Sequence, residues 1–193
     1  MKRFFIVHRW DGYPGGDWYP WLKEQLEKKG FFVEILDMPD ASSPSVFEWT
    51  EYIREAIGTC DENTFLIGHS IGCQAILRCL DKLPPGENIG GAVFVAGWFT
   101  LMGLESEEEK VIARPWLEIP IDFNKVREHL GKSIALFSDN DPFVPINNIN
   151  LFKERIGSET IMEQGMKHFT ELDGVIELPA VLDAVLKISD DSR

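Results

Sequence analysis

The stretch TFLIGHSIGCQAIL sets Ser70 between Gly68 and Gly72, where an apolar strand-like run gives way to a helix-like one. A serine hydroxyl is weakly nucleophilic at neutral pH and needs a base to take its proton and an acid to orient that base. GHSIG has the G-x-S-x-G form of a sharp strand-to-helix turn, whose tight backbone demands small residues on either side of the serine. Such a turn lifts the hydroxyl above the carboxyl edge of a sheet, at a helix N-terminus whose dipole favours an oxyanion. The competing role for Ser70 is a plain helix cap.

The acid and the base must lie downstream, in the order serine, carboxylate, histidine, each on a loop after its own strand. SIALFSDNDPFVP offers Asp141, just before Pro142 in a turn that can aim a carboxylate across the sheet edge, while Asp139 is expected to cap that turn. ETIMEQGMKHFT offers His168 as the base. Of the other histidines, His129 reads as a surface helix C-terminus, His69 as pointing away from the Ser70 hydroxyl, and His8 as packed and hydrogen-bonded at the end of the first strand. The oxyanion hole is expected from two backbone amides: Ile71, directly after the nucleophile, and Arg9 or Trp10 in HRWDGYPGG. No cysteine or histidine cluster has metal-ligand spacing, and the triad needs neither metal nor organic cofactor, so neither is expected.

These groups need a scaffold that brings several loops to one edge. Runs of apolar, β-rich residues recur as RFFIVH, FFVEIL, TFLIGH, GAVFVAG, SIALFS and, more weakly, ETIME. Most are continuous, as strands buried on both faces require. Helical patterns separate them: Trp18 to Leu26, Ser45 to Gly58 with a Ser45/Glu48 capping box, the run after Ser70, Asp122 to Leu130, Ile146 to Ile156, and Leu178 to Ile188. Alternating strands and helices predict a parallel α/β sheet with helices on both faces. If the first and third strands are neighbours, the site falls at the topological switch point.

The segment from Gly97 to Pro120 breaks this rhythm and reads as a lid-like insertion, with a short helix begun by Ser106 and Glu109. Its acidic ESEEEK reads as a solvated helix face. Its aromatics are expected either to pack as core or to line an apolar pocket, with Trp98, Phe99 and Trp116 as the pocket candidates.

At 193 residues and 44% hydrophobic composition, the chain is expected to form a single domain, 1–193. A formal net charge of −13 argues against nucleic acid and anionic membrane surfaces as partners. MKRFFIVHRW is too short an apolar run for a signal or a membrane span, and three cysteines without ligand spacing fit reduced thiols in the cytoplasm.

GHSIG, ARPW, SDNDPFVP and KHF, in this order and at these intervals, resemble the small α/β-hydrolase family of retinoblastoma-binding protein nine and its bacterial relatives. The resemblance spans nearly the whole chain. It implies a reduced α/β-hydrolase fold, a three-layer α/β/α sandwich of about six parallel strands in the order 2-1-3-4-5-6. It also implies serine hydrolase activity through Ser70, Asp141 and His168. This chain departs from the family's habit in two places: Lys167 stands where relatives often place glycine before the base, and the first loop carries the bulky Trp10 and Asp11. The lid aromatics favour a small, ester-type substrate with an apolar acyl or aryl part, with ester, thioester and amide all open. A peptidase or amidase using the same triad, or a protein-binding module with little activity, are the alternatives; nothing in the sequence marks a protein partner.

Overall fold

The apolar runs form the strands β1 (Arg3–Val7), β2 (Phe32–Leu36), β3 (Thr64–His69), β4 (Ile89–Val95), β5 (Leu130–Ser138) and β6 (Glu159–Glu163). In the computed structural model, which describes residues 1–190, all six join one parallel sheet in the order β2-β1-β3-β4-β5-β6. The last three residues of the expected 1–193 domain lie outside the described residues. Every residue of β3 is buried, as its unbroken apolar run requires, whereas the edge strands β2 and β6 expose Phe32, Glu34, Glu159 and Met162. That exposure is why ETIME carries the weaker signal.

Seven helices connect the strands among the described residues: α1 (Tyr19–Glu27), α2 (Val46–Ile57), α3 (Ile71–Asp81), α4 (Glu107–Glu118), α5 (Phe123–His129), α6 (Asn148–Ile156) and α7 (Pro179–Ser189). Helices α1 and α7 cover one face; α2, α3, α5 and α6 cover the other. The Ser106/Glu109 capping box forms in full and starts a helix of twelve residues, longer than expected. At Ser45 only half the box forms: its hydroxyl accepts from Glu48 N at 3.4 Å, without the return bond. None of the described helices is long and apolar enough to cross a membrane.

β1 pairs with β3, Val7 opposite Gly68, so the chain leaves these neighbours in opposite directions and a crevice opens at their carboxyl ends. The N-terminus of α3 presses directly on β1. A Cβ on Gly72 would lie 2.4 Å from the Val7 carbonyl oxygen and 2.8 Å from that of His8. Because both obstacles are backbone, Gly72→Ala is expected to destabilise the fold by about 3 kcal/mol. Urea unfolding checks this, and a variant as stable as wild type would contradict the close approach.

Candidate active site

Ser70 sits between β3 and α3 with φ 53° and ψ −117°, a left-handed backbone that a serine adopts only when its surroundings impose it. The imposition is visible: Ser70 N donates to Val95 O at 2.8 Å, and Cys73 N donates to Ser70 O at 3.0 Å. The hydroxyl caps no helix amide. It lies 2.9 Å from His168 Nε2, while His168 Nδ1 lies 2.8 Å from Asp141 Oδ2. The three expected residues therefore form one buried hydrogen-bonded line. Asp141 Oδ1 also accepts from Phe143 N at 2.8 Å and Val144 N at 3.0 Å, an Asx turn that fixes the carboxylate plane.

Asp139 does not cap that turn. It reaches the opposite loop, where its Oδ1 accepts from Gly165 N at 2.8 Å. Its neighbours act alike: Ser138 Oγ accepts from Met166 N at 3.1 Å and Asn140 Oδ1 from Lys167 N at 2.8 Å. Asp173 Oδ2 then accepts from His168 N and Thr170 N. Side-chain acceptors thus hold the base loop nearly amide by amide, keeping Lys167 and Phe169 at φ 45° and 58°. Lys167 thus holds a left-handed turn directly before His168 without glycine.

In the first loop, Arg9 N donates to the Tyr19 hydroxyl at 3.2 Å, so that amide is already engaged. This removes Arg9 from the two oxyanion candidates. The Arg9 carbonyl accepts from Gly12 N at 3.0 Å and from His8 Nδ1 at 2.8 Å. Since a trans peptide is planar with its N–H opposed to its C=O, these bonds also set the direction of the Trp10 N–H. Among the described residues, neither Trp10 N nor Ile71 N has an acceptor, and both residues line the cavity beside Ser70.

That cavity has a volume of about 530 Å³ and apolar walls that include Trp10, Ile71, Trp98, Leu101, Leu104 and Phe143. Of the expected pocket aromatics, Trp98 lines it and Phe99 and Trp116 do not. Phe99 turns toward Phe152, Phe123 and the Arg155 guanidinium. Trp116 is buried against Trp49, its indole N–H donating to Pro44 O at 3.0 Å. Both were drawn into core packing by the apolar surface of neighbouring helices. Helix α3 holds both ends of the intervening segment, through Gln74 to the Trp98 carbonyl and through Arg78 to the carbonyls of Trp116 and Ile119. Glu109 caps α4 as the Ser106/Glu109 pairing predicts, and within a segment expected to be a solvated face it borders the cavity.

The remaining histidines are structural. His129, expected at the surface, is buried and bonds Glu87 O at 2.7 Å. His8 donates from Nδ1 and accepts from Met38 N at Nε2, which requires its neutral form. His69 points away from Ser70, and burial pushes its pKa from 6.5 down to about 3. Between those values the unfolded chain binds a proton that folded His69 refuses, so stability falls as pH drops through this window. At pH 5 the loss from His69 is expected to be about 2 kcal/mol, before most carboxylates titrate. Urea unfolding at pH 7 and pH 5 checks this together with the smaller loss in the same direction from His8, whose pKa burial also lowers, and equal stabilities would contradict a neutral buried His69.

The strand order, the elbow and the crevice at the β1/β3 switch point define an α/β hydrolase. The chain belongs to the serine hydrolase family, which it matches over residues 4–187. YdeN of Bacillus subtilis (strain 168) is 30% identical over 185 residues, covering 95% of this chain and 94% of that protein. The serine hydrolase RBBP9 of Rattus norvegicus is 26% identical, covering 82% and 83% of the two chains. The structure of the B. subtilis ydeN product superposes with a TM-score of 0.88 at 28% identity, covering 97% of this chain and 98% of that one. Est1E of Butyrivibrio proteoclasticus shares the fold at a TM-score of 0.72 and 15% identity, covering 97% and 91%.

Proposed function

We propose that this serine hydrolase cleaves small carboxylic esters by acyl transfer to Ser70. The observation that carries the reading is the line Asp141, His168, Ser70, with 2.8 Å and 2.9 Å between successive partners. His168 Nε2 takes the Ser70 proton as the hydroxyl oxygen attacks the ester carbonyl, and Asp141 supports the resulting imidazolium. The amides of Ile71 and Trp10 receive the oxyanion. Collapse of the tetrahedral intermediate breaks the ester bond, and His168 passes its proton to the departing alkoxide. Water, deprotonated by His168, then attacks the acyl-enzyme and releases the acid.

The apolar cavity walls favour a neutral acyl or aryl group, and residues 97–120 act as the lid-like cover over it. The buried, unpaired thiols of Cys60, Cys73 and Cys79 accord with a reducing, cytoplasmic setting. A binding module with a vestigial triad has no need of this hydrogen-bonded line.

Labelling with a fluorophosphonate probe, read by mass, tests the proposal. Wild type is expected to gain one adduct at Ser70, and Ser70→Ala and His168→Ala to gain none. A folded wild type that stays unlabelled would overturn the reading. Matched ester and amide substrates then separate esterase from amidase action.

A further inference from the structure

Beneath the Ser70–His168 pair lie buried polar side chains that acyl transfer does not use: Asp17, Tyr19 and His69, joined by the largely buried Arg9. Burying such groups is costly unless their donors and acceptors are matched. Here they are matched in a continuous chain. Arg9 N donates to the Tyr19 hydroxyl at 3.2 Å, the hydroxyl donates to His69 Nδ1 at 2.7 Å, and His69 Nε2 donates to the carbonyl of His168 itself at 2.8 Å. A phenol has a single proton, so giving it to His69 leaves the oxygen free to accept from Arg9. Asp17 closes the circuit: one carboxylate oxygen accepts from Arg9 Nε and the other from Glu171 N, each at 2.8 Å.

The two ends of this chain matter to one another. Arg9 opens the loop that presents the Trp10 amide, and His168 is the base; a tetrahedral intermediate on Ser70 must meet both at once. Yet one loop follows β1 and the other follows β6, with β3, β4 and β5 between those strands. No ladder of the sheet joins them directly.

We infer that Tyr19 is a positioning residue, its hydroxyl holding the oxyanion loop and the catalytic base in register through Arg9 on one side and His69 on the other. The inference rests on the proposed role of Ser70 and His168. A phenylalanine would fill the same space and pack on the same neighbours. What it would lack is the oxygen that links Arg9 to His69 and, through His69, to the His168 carbonyl.

Tyr19→Phe tests this, with steady-state kinetics on p-nitrophenyl acetate, the rate of fluorophosphonate labelling, and thermal unfolding followed in parallel. The expected result is a cooperative unfolding transition, a kcat at least ten-fold below wild type, a KM within two-fold, and labelling slowed by a similar factor. A space-filling tyrosine would change the unfolding midpoint and leave kcat alone. Should Tyr19→Phe not fold, Asp17→Asn decides: it keeps the size of the side chain but weakens the Arg9 tether, and a several-fold lower kcat at unchanged KM supports the inference. Wild-type kcat in a folded Tyr19→Phe, or in Asp17→Asn where that variant decides, overturns the inference while the triad reading stands. An unlabelled wild type overturns both.

Discussion

Replacing Ser70 by alanine is expected to lower kcat on an activated short-chain ester by roughly 10⁵- to 10⁶-fold, the loss typical of removing a serine nucleophile from an intact triad. His168, Asp141 and the oxyanion amides remain, so a small residual rate above that of water is also expected. Stability separates this outcome from the helix-cap role. A capping serine contributes about 1 kcal/mol to its helix. The Ser70 hydroxyl makes no cap bond, facing His168 Nε2 instead, and alanine inherits the same left-handed backbone at φ 53°. Ser70→Ala should therefore unfold in urea at nearly the wild-type midpoint while losing turnover. Turnover above one-hundredth of wild type, roughly 3 kcal/mol of barrier or less, would be too small a loss for a nucleophile.

The order of the elements was legible because the physics that forms them is local. Continuous apolar runs have only one stable setting in an alternating chain, the middle of a parallel sheet, and β3 with all its residues buried shows why. The length of α4 was harder to read. Pro115 interrupts the helical pattern in sequence, yet the helix runs on to Glu118 because Trp116 is anchored on Trp49 and Arg78 takes up two carbonyls at its C-terminal end. Tertiary contacts of this kind leave no periodic trace.

The residues of the site divide in the same way. Ser70, Asp141 and His168 each follow a strand at a recognisable turn, so chain order pointed to Ser70 and His168, and the Asp-Pro turn favoured Asp141 over Asp139. The acceptors that support the base loop do not announce themselves, although SDND, four consecutive side chains able to accept hydrogen bonds, was a signal in plain view. Its even-handed chemistry is what hid the division of labour: Ser138, Asp139 and Asn140 hold the base loop while only Asp141 faces the base. Phe99 and Trp116 fail as pocket residues for a related reason. Aromatic side chains bury wherever the nearest apolar surface lies, and sequence gives no direction.

That division leads to the sharpest discrimination available within the acid loop. Asp141 Oδ1 is committed to two backbone donors, Phe143 N and Val144 N. In Asp141→Asn the amide oxygen must therefore keep that position, which turns the NH₂ group toward His168 Nδ1. An NH₂ can only donate there, so Nδ1 becomes the acceptor and the ring proton moves to Nε2, facing Ser70. A histidine in that tautomer cannot take the serine proton, and kcat is expected to fall roughly 10⁴-fold with little change in KM. Asp139→Asn behaves differently, because Asn Oδ1 can still accept from Gly165 N; its kcat should stay within about three-fold of wild type, since one neutral hydrogen bond replaces one charged. Measuring kcat for the two variants side by side decides the assignment. A collapse in Asp139→Asn with activity retained in Asp141→Asn would mean that the acid facing His168 during turnover is not Asp141.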